Sequence, residues 1–282
     1  MKTEATEKPK FILNVSSDKY HQATKCNEYV TSHRLAIFRR CPAEFKKVVD
    51  GVIVQGDTQS FVIGRATHTL VLEGDAKFGE EYVVADGPIN DKTGKPYGSE
   101  TQKFKDWIAE QTKQVIRTAD HNQMQKMREA VHTHPVASDL LASGFAEGTV
   151  RVTWDGIPVQ ARFDWFDPDR GNLVDLKTCN DIDRFRFDIR DFGYCYQLAF
   201  YRKALALAGY DAPVKCWLVA VEKKEPFRVA VIHVSESTIG DLNEGHMGGE
   251  SWRDDNNAMI AELKKCGESG VWPTRYEHVI TI

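Results

Sequence analysis

Two aspartates and a lysine lie on two short apolar segments that are separated by turn-forming residues. Asp164 falls in the segment 158–165, and Asp175 and Lys177 fall in the segment 173–178. The residues between them are rich in Asp, Asn, Pro and Gly, which predicts a β-hairpin. On a strand, Asp175 and Lys177 leave the same face, because side chains alternate with a period of two. Asp164 could reach that face from the partner strand, so two carboxylates and one ammonium group would converge.

Such a group of charges suits one kind of chemistry. Burying two carboxylates and an ammonium group is costly unless these opposite charges pair with each other or the carboxylates bind a metal ion. Carboxylate oxygens suit Mg²⁺ or Mn²⁺, which proteins hold with few side chains plus waters and phosphate oxygens. A lysine beside the ion can orient or deprotonate water, or stabilise transition-state charge. The combination predicts metal-assisted phosphodiester hydrolysis, whereas the alternative is a cross-strand salt bridge on a solvated face.

Two further segments carry polar residues four positions apart. Gly64 and His68 share one face of a predicted helix over 58–73, and Gln197 and Tyr201 share one face of a predicted helix over 194–208. A glycine inside a helix costs about 1 kcal/mol relative to alanine, so Gly64 predicts close approach by another backbone. A single histidine at such a position is also compatible with a satisfied core residue.

The order of the predicted elements indicates an α/β fold. An Asp155-Gly156 turn predicts a second hairpin that joins 148–154 to the strand carrying Asp164. Two more strands follow the helices, over 214–222 and 227–234. We expect a flexible or edge-pairing N-terminal arm over residues 1–16 and a single domain over residues 17–282.

Composition excludes several classes of function. The chain has 282 residues, a net charge of −4 and 41% hydrophobic residues, and none of its apolar runs approaches the length of a membrane span. The first ten residues lack a signal-peptide core, so we expect a cytoplasmic protein with no membrane partner. The sequence lacks the motifs on which four other functions would be predicted. These are the Walker motif of NTPases, the G-x-S-x-G motif of serine hydrolases, the H-E-x-x-H motif of zincins and the G-x-G-x-x-G motif of Rossmann domains.

The ordered set Gly64-x-x-x-His68, Asp164, Asp175-Leu-Lys177-Thr178 and Gln197-x-x-x-Tyr201 resembles the PD-(D/E)XK nuclease superfamily. More narrowly, it is similar to the RecE-type (exonuclease VIII) nuclease domains, and the resemblance spans most of residues 18–282. The resemblance implies a PD-(D/E)XK core, in which a central mixed β-sheet is flanked by helices, with additional N- and C-terminal helices.

The resemblance also implies roles for His68 and for residues of the two strands. His68, Asp164 and Asp175 would bind Mg²⁺, or Mn²⁺ in its place, with the backbone carbonyl of Leu176 as a further ligand. Lys177 would be the catalytic lysine, acting together with the two aspartates.

Four other residues are assigned to substrate binding, and two of them, Gln197 and Tyr201, also to the catalytic site. By resemblance, Gln197 and Tyr201 would contact DNA or the scissile phosphate beside the catalytic groups. Glu147 matches a loosely placed acidic position at the start of the first long strand. Arg162 alternates with Asp164 and is either a phosphate contact or a residue of the sheet surface.

The activity implied by the resemblance is a Mg²⁺-dependent exodeoxyribonuclease that degrades one strand of linear double-stranded DNA from 5′ to 3′. Family members form a ring-like tetramer and pass the exposed 3′ strand to a RecT-like single-strand annealing protein for recombination, typically in a phage setting.

Only Cys266 lies near the C-terminus, so an iron–sulfur cluster is not expected. The basic residues expected to line a DNA channel are Arg34, Arg39, Arg40, Lys46, Arg184 and Arg186. Two alternatives remain: an endonuclease with the same core, and a catalytically silent DNA-end-binding protein.

Overall fold

The computed structural model describes residues 9–54, 56, 58–239, 252–277 and 279. Residues 1–8 of the predicted N-terminal arm lie outside this part of the chain. The described part of the arm contacts the sheet, because Leu13 N–H donates a 2.7 Å hydrogen bond to the carbonyl of Thr149. The arm therefore adds an isolated antiparallel bridge to the first long strand.

A five-stranded sheet forms the centre of the fold. The described strands are β1 (Tyr82–Val84), β2 (Ile89–Asn90), β3 (Lys95–Pro96), β4 (Gln114–Ile116), β5 (Phe145–Trp154), β6 (Ile157–Asp167), β7 (Asn172–Cys179), β8 (Lys215–Glu222) and β9 (Val229–Val234). The sheet has the order β5-β6-β7-β8-β9, while β1 pairs with β4 and β2 pairs with β3 separately. All neighbours in the sheet are antiparallel except β7 and β8, which run parallel. The predicted mixed sheet, and both hairpins within it, are confirmed.

The helices surround this sheet. Those described are α1 (Ser17–Lys25), α2 (Ser32–Arg40), α3 (Pro42–Val49), α4 (Gln59–His68), α5 (Gly74–Glu81), α6 (Gln102–Ala109), α7 (Thr118–Thr133), α8 (Pro135–Leu140), α9 (Phe185–Asp191), α10 (Tyr194–Leu207), α11 (Glu236–Ile239) and α12 (Trp252–Ser269). A 3-10 turn, Ile182–Arg184, precedes α9.

The helix that carries His68 is shorter than the sequence indicates. Thr58 caps its N-terminus by accepting the backbone N–H of Phe61. The regular α-helix ends at His68, and Thr69–Glu73 continues as a π-helical turn. Such turns insert one residue into the hydrogen-bond pattern and occur frequently at functional sites. His68 thus occupies the last position of α4.

Each face of the sheet packs against its own hydrophobic core. On one face, Leu173 and Cys179 of β7 join a cluster with residues of α2, α10 and α12. On the other face, Val174 and Leu176 join a cluster with residues of α4, α7 and α8. Because side chains alternate along a strand, this arrangement places those of Asp175 and Lys177 on the α10 side of β7.

The strands β6 and β7 separate partway along their length. Their pairing runs through Asp167↔Asn172, Phe166↔Leu173 and Trp165↔Val174 and then ends. The parallel pairing of β7 with β8 continues to Cys179, so β7 remains anchored on its other edge. Asp164 and Asp175 are the first residues beyond the paired region, and this separation opens the space in which the candidate site lies.

Among the described residues, no helix combines the length and the apolar character that a bilayer crossing requires.

Candidate active site

Asp175 and Lys177 form a buried ion pair on the central strand. Nζ of Lys177 lies 2.5 Å from Oδ2 of Asp175, and the exposed fractions of the two side chains are 15% and 1%. The other carboxylate oxygen, Oδ1, is buried and has no hydrogen-bond partner among the described residues. The prediction that both side chains leave the same face of the strand is confirmed.

Asp164 joins β7 to the helix that carries His68. Its Oδ2 accepts a 2.8 Å hydrogen bond from the backbone N–H of Leu176 and lies 3.4 Å from Nδ1 of His68. The carboxylate thereby takes the place of a backbone acceptor where β6 and β7 have separated. His68 is packed beside Asp164, as its assignment to the same site requires.

The charges of the site influence each other strongly. Burial alone would raise the pKa of Asp164, but His68, Lys177 and the Leu176 N–H together lower it to about 2. Burial raises the pKa of Asp175 to about 6 despite its pairing with Lys177. Burial opposes the charged form of Lys177, but Asp175 and Asp164 outweigh it and raise the pKa of the ammonium group. Lys177 is therefore a cation at neutral pH, suited to stabilising charge rather than to acting as a base.

The donor set fits a hard divalent cation. The buried Oδ1 of Asp175 is an oxygen without a compensating donor, and Asp164 places a second carboxylate in the same space. No cluster of three or more His, Cys, Asp or Glu in the described part of the chain is close enough to enclose a metal ion. Mg²⁺ does not need such a cage, because it commonly binds one or two carboxylates together with waters and substrate phosphates.

His68 lies against a carboxylate, which influences its proton affinity. Burial opposes its charged form, but the carboxylate of Asp164 outweighs this and raises the pKa of the imidazole. A histidine must be neutral to ligate a metal ion. The contact that His68 makes in the structure is with Asp164, whose carboxylate it orients, and its role as a metal ligand stays a prediction.

Glu147 and Arg162 form a second pair next to Asp164. Nε of Arg162 donates to Oε2 of Glu147, and NH1 donates to the carbonyl of Val15 at 2.7 Å. The guanidinium group is thus occupied by the acidic residue and the N-terminal arm, which favours the sheet-surface role for Arg162 over a phosphate contact. Burial raises the pKa of Glu147 to about 7, although Arg162 opposes the shift.

The backbone at Glu147 is unusual for a strand. Its φ is +56°, a left-handed conformation that a glutamate rarely adopts. The β5–β6 register passes from Ala146↔Trp165 to Gly148↔Phe163, so Glu147 and Asp164 face each other without a regular ladder pair. Strain of this kind is concentrated at functional sites. The carboxylate of Glu147 pairs with Arg162 and is close enough to Asp164 and His68 for their charges to influence its pKa.

Gln197 and Tyr201 contact one another on α10. Nε2 of Gln197 donates a 2.7 Å hydrogen bond to the hydroxyl of Tyr201. Tyr201 is only 6% exposed, and its ring packs edge-on against Phe163 with centroids 5.4 Å apart. Its burial supports an indirect role, in which the hydroxyl holds the half-buried amide of Gln197 in place.

Two features were not anticipated from the sequence. The ring of Tyr194 lies 5.0 Å from Nζ of Lys177, at the start of α10. An aromatic residue one turn before Gln197 was the available signal. The prediction that Gly64 accommodates another backbone is wrong, because a Cβ atom built there would meet nothing within 4 Å. Gly64 instead leaves open space one helical turn before His68.

The basic residues expected along a DNA channel have different surroundings. Arg39 stacks on Tyr196 at 3.4 Å and donates to Asp255 and Asn256, so it joins helices. Arg40 and Lys46 pair with acidic residues one turn away on α2–α3. One nitrogen of Arg34 is buried without a partner among the described residues. Only Arg184 and Arg186 of this group are exposed and lack an ion pair within the described residues.

Comparisons with known proteins agree with this geometry. A family model described as "PDDEXK-like domain of unknown function (DUF3799)" matches residues 31–279. A crystal structure from Eubacterium rectale, named "Putative exonuclease", superposes with a TM-score of 0.63 at 14% identity, covering 96% of each chain. At that identity the likeness concerns the fold. No curated protein matches the chain. Because the family model covers most of the chain, this protein belongs to the PDDEXK-like family DUF3799 and has the PD-(D/E)XK nuclease fold.

Proposed function

We propose that the protein is a Mg²⁺-dependent exodeoxyribonuclease that degrades one strand of linear double-stranded DNA in the 5′ to 3′ direction. The observation that carries this proposal is the placement of Asp164, Asp175 and Lys177 around one opening between β6 and β7. A nuclease of the PD-(D/E)XK class needs two carboxylates and a lysine at one phosphate, and all three are present here.

Each side chain has a definable task. Asp164 and Asp175 would hold Mg²⁺, which when bound lowers the pKa of water and neutralises phosphate charge. Lys177, kept protonated by the carboxylates, donates hydrogen bonds to a phosphate oxygen or to the attacking water. Gln197 would position the DNA from α10, and its hydrogen bond to Tyr201 limits its movement.

The finer parts of the proposal concern assembly and pathway. A ring-shaped homo-oligomer, tetrameric as the RecE-type resemblance implies, would keep the enzyme on its DNA. The 3′ strand that it exposes would pass to a RecT-like annealing protein during recombination. Sedimentation of the protein with and without duplex DNA tests the assembly, and a monomer under both conditions would contradict the ring.

A nuclease assay on linear duplex DNA labelled at the 5′ or the 3′ end tests the activity. We expect early release of the 5′ label with Mg²⁺, no release with EDTA, and no release by Lys177→Ala. The matched control is Lys215→Ala, since Lys215 is exposed at the opposite end of the β7–β8 pair. A covalently closed circle should remain intact.

The other outcomes identify the alternatives. Cleavage of the closed circle would establish an endonuclease, because an exonuclease requires an end. Binding of duplex ends without any cleavage would establish a DNA-end-binding protein. Early release of the 3′ label would reverse the polarity while leaving the assignment of the active site in place.

A further inference from the structure

The segment that leaves the catalytic strand exposes two large aromatic rings. Phe187 of α9 is 50% exposed, and Phe192, which follows the helix, is 67% exposed. The inner side of α9 is anchored by Phe185, which is buried in the core beside α10. Phe187 is therefore presented by an anchored helix, and Phe192 by the turn that directly follows it. We define the α9 surface as Arg186, Phe187, Arg190 and Phe192.

Arginines alternate with these rings. Arg186 and Arg190 are exposed, and neither forms an ion pair within the described residues. The guanidinium carbon of Arg186 lies 4.7 Å from the ring centroid of Phe187. Asp191 is the acidic residue exposed beside them, and Asp188 is half-buried. The surface combines cationic and aromatic groups, which is the chemistry that binds unpaired nucleic acid strands.

The α9 surface is connected to the catalytic lysine by ring contacts. The centroids of Phe192 and Tyr194 are 5.8 Å apart, and the ring of Tyr194 lies 5.0 Å from Nζ of Lys177. Gly193, with a φ of +67°, lies between the two aromatic residues and permits the turn into α10. Phe192 is therefore linked to Lys177 through a single intervening ring, that of Tyr194.

We propose that the α9 surface binds the unpaired nucleotides of single-stranded DNA next to the active site, by stacking of bases on Phe187 and Phe192. Exposed rings can stack on bases only where those bases are not already stacked and paired within a duplex. This inference rests on the proposed function, because an exonuclease on duplex DNA leaves such nucleotides beside its catalytic groups. The two arginines supply contacts to the phosphates of the same strand.

Binding measured in EDTA tests the surface apart from cleavage. The probe is a fluorescent oligothymidine of about 12 nucleotides, compared by anisotropy with a blunt duplex. We expect Phe192→Ala to weaken binding of the single strand by about 10-fold or more and Phe192→Trp to retain it, because stacking depends on the ring. The control is Tyr276→Ala, since Tyr276 is 74% exposed outside the α9 surface.

Several outcomes would overturn the inference. The inference fails if the unaltered protein does not bind the single strand, or if Phe192→Ala binds it as tightly as the unaltered protein does. It also fails if Phe192→Ala weakens the binding of single strand and of duplex by the same factor. The Arg186→Gln/Arg190→Gln variant should lower the dependence of log affinity on log salt by about 1 to 1.5, and an unchanged slope would remove the arginines from the proposal.

The end-label assay separates the two proposals. An unaltered protein without nuclease activity but with ring-dependent strand binding would reject the exonuclease and leave the binding surface. An active exonuclease that binds single strands equally well with and without the Phe192 ring would reject the surface alone.

Discussion

The carboxylate of Asp164 accepts the backbone N–H of Leu176 across the line where β6 and β7 cease to pair. One side chain thus fixes the width of the opening and supplies the charge within it. In Asp164→Asn the side-chain oxygen can still accept this hydrogen bond, but the negative charge is lost. We expect nuclease activity to fall by about 100-fold or more, with a modest fall in melting temperature because the attraction of the carboxylate to His68 and Lys177 is lost. A large loss of melting temperature would show instead that the carboxylate serves mainly to hold the strands.

Gly64 allows helix stability and active-site access to be separated. Gly64→Ala should raise the free energy of unfolding by up to about 1 kcal/mol, because alanine loses less backbone entropy in a helix. Gly64→Leu would place a bulky group in the open space on the same helix face as His68 and should reduce cleavage of duplex DNA. The matched control is Gly79→Leu on α5, because a Cβ atom built at Gly79 would also meet nothing within 4 Å. Full activity of Gly64→Leu would show that DNA does not pass this face of α4.

A double-mutant cycle can measure the interaction energy between Arg162 and Glu147. Arg162→Gln leaves the acidic group of Glu147 without its cation beside Asp164, so we expect both lower stability and lower activity. The double variant Arg162→Gln/Glu147→Gln should recover much of the stability, because no unpaired charge remains. We expect a coupling energy of about 1 kcal/mol or more from denaturant unfolding. Additive effects would show that the two side chains act independently.

Glu222 predicts a dependence of stability on pH. Its carboxylate accepts hydrogen bonds from Arg228 at 2.8 Å and from Ile182 N–H at 3.0 Å, at the entrance to α9. The Arg228 hydrogen bonds outweigh burial and lower the pKa of Glu222 from 4.5 to about 2. Because the folded-state pKa lies below the unfolded one, this stabilisation is complete above pH 4.5 and is lost as the pH falls toward 2.

Glu222→Gln should therefore unfold at a lower denaturant concentration than the unaltered protein at neutral pH. The difference should narrow steadily below pH 4.5, as the carboxylate of the unaltered protein becomes protonated. Denaturant midpoints of both proteins, measured from neutral pH to below pH 4.5, check whether the difference narrows as expected. A difference that widens with acidification would contradict the assignment.

The parts of the fold that depend on local signals could be predicted. The turn residues before β7 and the Asp155-Gly156 turn specify two hairpins, and strand alternation places Asp175 and Lys177 on one face. The helical spacing from Gly64 to His68 identified a shared face, but it did not reveal whether that face meets backbone or open space. That distinction depends on neighbours distant in the sequence.

Other features arise only from tertiary packing. The separation of β6 from β7 depends on how β7 is held by β8, and no local pattern encodes it. Arg39 looked like a phosphate contact because it is a basic helix residue, yet its partners Asp255 and Asn256 lie more than 200 positions away in the chain. The N-cap of α2 is Thr31, although the next residue, Ser32, has the same capping chemistry. Cap positions shift easily by one residue where two hydroxyl side chains are adjacent.

The alternation along β7 has a consequence for how this enzyme can fail. Val174 and Leu176 belong to one core, whereas Leu173 and Cys179 belong to the other, and Asp175 and Lys177 lie between Leu173 and Cys179 along the strand. A slip of the strand by one residue would exchange the two faces and force Asp175 and Lys177 among the apolar side chains of α4 and α7. Intermediate positions of the strand are therefore excluded, and the site should exist either fully assembled or not at all. Loss of catalytic competence on heating should coincide with global unfolding rather than precede it.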